Sequence, residues 1–103
     1  MRRKWEKVKE KVLGKNYDLS VVSASSALMK KLNETYRKKK GGANVLSFPL
    51  SKTMGEIFIN KNLKIKNQNY LFIHSLLHLK GMKHGTKMTR EEKKLWRAIS
   101  SQA

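Results

Sequence analysis

A chain of 103 residues with 24 Lys and Arg against seven Asp and Glu carries a formal charge of +17, which points to a polyanionic partner, nucleic acid first and an anionic membrane surface second. The absence of cysteine excludes a disulfide scaffold and a thiolate metal site, and no apolar run reaches the roughly 20 residues that span a bilayer. The length suits one domain over residues 1–103, and the basic, charge-interrupted N-terminus does not read as a signal peptide, so a cytoplasmic location is expected.

Trp5, Val8, Val12 and Leu13 fall at helical spacing, which predicts a first helix over Arg3 to Leu13, stopped near Gly14 and Asn16. The β-branched run DLSVVSA predicts a strand from Asp18 to Ala24. Ser25 or Ser26 then caps a helix carrying Leu28, Met29, Leu32 and Tyr36, which ends in the run RKKKGG. NVLSFP is expected to be a strand ended by Pro49, the only proline, and GEIFIN a second strand. The segment Asn60 to Asn69 reads as a basic, amide-rich connection, and YLFIHSLLHLK as a buried helix ended by Gly81. A last helix is expected from Thr89, as N-cap, with Glu92 in the capping-box position and Leu95, Trp96 and Ile99 facing inward. Trp5 and Trp96 both read as core. The order helix, strand, helix, strand, strand, helix, helix argues an α+β fold, a small mixed sheet with helices packed on it.

All three histidines lie in HSLLHLKGMKH. His74 and His78 are four apart on a predicted helix, so their Cβ atoms stand roughly 5–6 Å from each other on one face. Gly81 lets the chain turn back and bring His84 to them. Three imidazoles with one open position form the donor set of a catalytic rather than a structural zinc site. Nitrogen donors also suit Ni2+, copper or iron, so the spacing leaves the metal open. Ser75 stands where the H-E-x-x-H pattern needs its glutamate, which argues against a peptidase of that type.

HSLLHLKGMKH resembles the H-G-x-L-H-L-x-G-x-D-H signature of the YbeY family, bacterial metal-dependent endoribonucleases of rRNA maturation. LNETYRKKKGGANVLSFP resembles that family's L-N-x-x-Y-R-x-x-D-x-P-T-D-V-L-S-F-P, and GEIFIN its G-D-I-x-I strand. The three blocks occur in the family's order over Leu32 to His84. The resemblance implies zinc held by His74, His78 and His84, with catalysis depending on Arg37 and on His78. It implies an α+β fold with the H-x-x-x-H helix packed on the sheet. The implied activity is cleavage of single-stranded RNA in the cytoplasm, tied to 16S rRNA 3′-end maturation and ribosome quality control. The implied partners are rRNA and the small ribosomal subunit, with no membrane.

Arg37 offers a planar fork suited to a phosphate. Lys38, Lys39 and Lys40 are candidate contacts to the RNA backbone, as are Lys61, Lys64 and Lys66. Glu56 is a candidate proton handler or support for a metal ligand. The chain departs from the family pattern at Ser75, at Lys83 in place of an aspartate, at Glu56 in place of aspartate, and at Gly42, Ala43 and Asn44. Against the family pattern it is expected to be a trimmed member, with a shorter linker before the metal helix and without the strand that precedes the first helix. Lys83 is expected to weaken metal affinity unless it points outward to RNA. A second reading follows from these departures: a basic RNA- or ribosome-binding protein that keeps the fold without turnover.

Overall fold

The computed structural model describes residues 2–100. The elements run α1 (Arg3–Leu13), β1 (Asp18–Ala24), α2 (Ser26–Tyr36), β2 (Val45–Ser51), β3 (Met54–Asn60), α3 (Ile65–Leu79) and α4 (Thr86–Ser100). The order of elements expected from the sequence is the one observed. The sheet has the order β1-β3-β2, with β3 central, parallel to β1 and antiparallel to β2.

Alternation along the strands divides the sheet into two faces. Ile57 and Ile59 point to one face, where they join Trp5, Val8, Phe72, Ile73, Leu76, Leu77 and Leu95 in the larger core. The other face carries Ala24 and Leu46, covered by Met29 of α2 and flanked by Phe48 and Phe58. Helices α1, α3 and α4 therefore form one layer, the sheet a second, and α2 a third. Ser25 caps α2 as expected, its Oγ accepting from the Leu28 amide at 3.1 Å.

Three boundaries differ from the sequence expectation, each for a physical reason. Pro49 does not end β2. The strand continues to Ser51 across a register shift, which an edge strand tolerates because the missing amide faces no neighbour. Helix α3 starts at Ile65 rather than Tyr70. Its first turn is polar, and two amides do the work that apolar residues would do elsewhere. Buried Gln68 donates to the Leu63 carbonyl at 2.7 Å and accepts from Arg2 at 3.0 Å. Asn69 accepts the Trp5 indole N–H at 2.7 Å, while the Trp5 ring stacks on Phe72 at 4.4 Å. Helix α4 starts at Thr86, so Thr89 is not its N-cap. The Thr89 hydroxyl donates back to the Gly85 carbonyl at 3.1 Å, and Met88 is buried in the core.

Gly55 on β3 is a place where only glycine fits. A Cβ there would lie 2.3 Å from the Tyr17 hydroxyl and 3.2 Å from Leu79. Gly55→Ala should therefore destabilise the fold by about 1–3 kcal/mol through overpacking. Chemical denaturation checks this, and an unchanged midpoint would mean that Tyr17 moves aside without cost.

Candidate metal centre

Helix α3 is buried along Phe72, Ile73, Leu76 and Leu77, which fixes its rotation. His74 and His78 fall on the strip that this burial leaves partly open. Gly81 takes φ 99, a left-handed conformation natural to glycine, and its amide closes the helix on the His78 carbonyl at 2.9 Å. The chain turns there and returns His84 to the other two. Ring centroids lie 4.5 Å apart for His74 and His78, 5.0 Å for His74 and His84, and 4.7 Å for His78 and His84.

One donor nitrogen from each ring lies within 4.8 Å of the others. The closest pair, Nε2 of His74 and Nε2 of His78, is 2.9 Å apart. Two lone pairs cannot face each other at that distance. Either a proton on His78 Nε2 holds the contact, or both lone pairs address a cation. Tetrahedral zinc with Zn–N of about 2.0–2.1 Å separates its ligands by roughly 3.3 Å. The observed separations bracket that edge, so three neutral imidazoles fit the ion in chemistry and in reach.

The tautomer of His74 is set from behind. Its Nδ1 lies 2.5 Å from Oε1 of Glu92 on α4. A carboxylate only accepts, so Nδ1 carries the hydrogen and Nε2 keeps its lone pair for the cluster. Glu92 is 7% exposed and is the one charged side chain buried among the described residues. Its other oxygen accepts the Tyr70 hydroxyl at 3.1 Å. Burial, the bond to Glu92 and the Glu92 charge together raise the Tyr70 pKa, which keeps that hydroxyl protonated as a donor. For His78, burial and the neighbouring His74 and His84 lower the pKa, with Glu92 opposing them. The doubly protonated form of His78 is thereby disfavoured. The sequence assigned Glu92 to a helix cap. Its signal was an acidic residue on the inward face of α4, in register with Leu95 and Ile99 and unlike a solvent-facing Glu.

A cleft of about 420 Å³ opens over the histidines, lined by Arg37, Ser47 and Pro49 as well as His74, His78 and His84. The structure thus brings Arg37 to the three histidines from a separate segment. Its position is set by Asn33, a buried residue of α2 whose side chain donates to the Gly41 carbonyl at 3.0 Å, while its carbonyl accepts the Arg37 amide at 3.1 Å. Lys38 takes φ 55 and breaks the helix immediately after Arg37. Lys38, Lys39 and Lys40 are exposed beside the cleft's arginine but do not line it. Lys83 is exposed and likewise does not line the cleft.

Glu56 does not join this group. It pairs in register with Phe48 and lines a separate cavity with Leu32, Tyr36 and Phe58, on the α2 face of the sheet. Strand alternation sends Ile57, not Glu56, toward α3. The carboxylate that supports a histidine is Glu92.

The family model described as Endoribonuclease YbeY matches residues 2–101. The chain belongs to the YbeY endoribonuclease family. Endoribonuclease YbeY of Pelagibacter ubique is 30% identical over 117 aligned residues, covering 90% of this chain and 76% of that one. That of Ehrlichia chaffeensis is 38% identical over 82 residues, covering 64% of this chain and 53% of the other. The chain thus spans about half the length of the Ehrlichia relative, at 53%. The solution structure of TM1509 from Thermotoga maritima superposes with a TM-score of 0.69 at 25% identity, over 96% of this chain and 78% of that one. The α+β fold with its histidine cluster is therefore the fold of a YbeY-family chain.

Glu92→Gln keeps the shape and an acceptor for His74 Nδ1 but removes the charge. It should weaken zinc binding about 10–100-fold while leaving the fold intact. Competition against a chromophoric chelator, with circular dichroism as the control, measures this. Unchanged affinity would mean that Glu92 only packs.

Proposed function

We propose that this chain is a metal-dependent endoribonuclease acting on single-stranded RNA in the cytoplasm, with 16S rRNA 3′-end maturation and ribosome quality control as its setting. The reading rests on one observation: Arg37 shares a cleft with three converging histidines in a chain of charge +17. His74, His78 and His84 would hold the ion, zinc by preference and Ni2+ as an alternative, as the all-nitrogen donor set favours. When bound, the ion supplies Lewis acidity to the phosphate and to water.

The chain's own residues do the rest. His74 is oriented and kept in one tautomer by Glu92. Burial beside His74 and His84 disfavours the doubly protonated form of His78, which suits it to serve as a ligand. Arg37 pairs with the scissile phosphate, and its two parallel N–H groups gain strength as negative charge builds on the phosphoryl oxygens. The exposed Lys38, Lys39 and Lys40 attract and register the RNA backbone without reading its sequence. The basic ribosome-binding reading shares the same charge but has no use for an arginine converging with three histidines.

Arg37→Ala should retain zinc and fold yet lose about 100-fold or more of cleavage, the scale of removing one stabiliser of developing charge. Equal cleavage of a labelled single strand by the two proteins would remove Arg37 from the mechanism. No cleavage by the zinc-loaded wild type, with strand binding intact, would favour the binder instead. Replacing Lys38, Lys39 and Lys40 with Gln should flatten the dependence of log affinity on log salt by about 2, at roughly 0.7 per phosphate contact. An unchanged slope in binding titrations would mean that these lysines do not meet phosphates.

A further inference from the structure

A second cavity, of about 350 Å³, lies between α3 and α4 on the far side of Glu92 from the histidine cleft. Its lining includes Tyr70, Trp96, Lys66, Lys93 and Glu92. Trp96 packs one side against the core and turns the remainder to this cavity. Tyr70 is 46% exposed, a large aromatic ring left open to solvent. It lies nearly parallel to the His74 ring, 21° between planes and 6.3 Å between centroids. An aromatic surface thus stands one helical turn from the candidate metal ligand.

The polar groups of this cavity sort by sign. The Glu92 oxygens are engaged by His74 and Tyr70. Lys66 and Lys93 are exposed, and among the described residues neither has an acidic side chain within 4.0 Å. An apolar, aromatic-walled pocket rimmed by free cations matches a nucleobase with its flanking phosphates, since every base has a stacking face and every phosphate a charge. A buried aliphatic partner would leave both lysines without counterparts.

We propose that this cavity is a base-binding subsite, in which Tyr70 stacks a nucleobase of the single strand while Lys66 and Lys93 hold the adjoining phosphates. The inference rests on RNA being the substrate and extends it. Tyr70 lies one helical turn before His74 on α3, so a nucleotide held there restricts which phosphate of the same strand can reach the cleft. Trp96 completes the pocket wall.

The test uses the zinc-loaded full chain and labelled single-stranded RNA 12-mers with 2′-O-methyl riboses, read by fluorescence anisotropy, with strand integrity checked after each titration. Tyr70→Ala should weaken binding about 5–150-fold, the range for one stacked base. Tyr70→Phe keeps the ring and drops the hydroxyl to Glu92, so, compared at zinc content and circular dichroism matched to wild type, it should bind within about 2-fold of wild type under the same stacking logic. A set of strands with one abasic position moved along the sequence should contain a member that weakens wild type by the Tyr70→Ala factor and weakens Tyr70→Ala no further. Lys66→Gln with Lys93→Gln, at exposed positions that do not threaten folding, should flatten the salt slope by about 1.4. Equal binding of the intact strand by wild type and Tyr70→Ala overturns the subsite while leaving the RNA reading in place. Loss in Tyr70→Phe equal to that in Tyr70→Ala also overturns it, because the hydroxyl rather than the ring would then carry the effect. Failure of wild type to bind any strand overturns both readings.

Discussion

Helix α3 must be buried on most of its circumference and open on one strip. It touches α1, α4, β2 and β3, and its buried residues Phe72, Ile73, Leu76 and Leu77 leave little freedom to turn. A rotation by one residue, about 100°, would drive an imidazole into the core and a leucine into the cleft. The hydrophobic cost of that exchange is about 1.5–3 kcal/mol per apolar side chain before any polar penalty is added. The donor geometry is therefore fixed by packing energy that has nothing to do with chemistry. Everything at the site is referred to this helix: Arg37 across from it, His84 folded back onto it, and Glu92 behind it.

The second constraint is electrostatic. In a chain with seven acidic residues, the one charged group buried among the described residues is Glu92. A buried carboxylate is tolerated only when its oxygens are paired and hydrogen-bonded. Here His74 and Tyr70 supply both partners, and the helices α3 and α4 are held in register by the same contact. The interaction that satisfies Glu92 also selects the His74 tautomer with a free Nε2. Lys83, which the sequence suggested would disturb an ion, stands outside the cleft, so the support of the first histidine does not depend on the position it occupies.

Much of the fold was legible because the apolar periodicity was strong. Trp5 with Val8, the run VLSFP, the alternation of GEIFIN and the inward face of α3 each announced its own element. What the sequence hid was polar structure. The first turn of α3 is built on Gln68 and Asn69, whose side-chain partners lie 64 to 66 residues away in α1 and its cap. No local pattern encodes such pairings. The histidine cluster was readable because its spacing is local, and Arg37 because of the resemblance of LNETYR to a family block. Glu92 was assigned to a capping box because T-x-x-E fits its neighbourhood, but α4 already starts at Thr86, so Glu92 lies within the helix on the inward face it shares with Leu95 and Ile99. Glu56 was misplaced for the complementary reason: one residue of strand register decides the face of the sheet.

A working site of this geometry requires His74, His78 and His84 to hold one metal ion. X-ray absorption spectroscopy on the untagged, zinc-loaded protein tests it most directly, with His78→Ala measured alongside. Near-stoichiometric zinc, three imidazole nitrogens at about 2.0–2.1 Å, and loss of bound metal in the variant are expected. Zinc bound in less than a tenth of chains at saturation, or a nitrogen shell unchanged by His78→Ala, would contradict it.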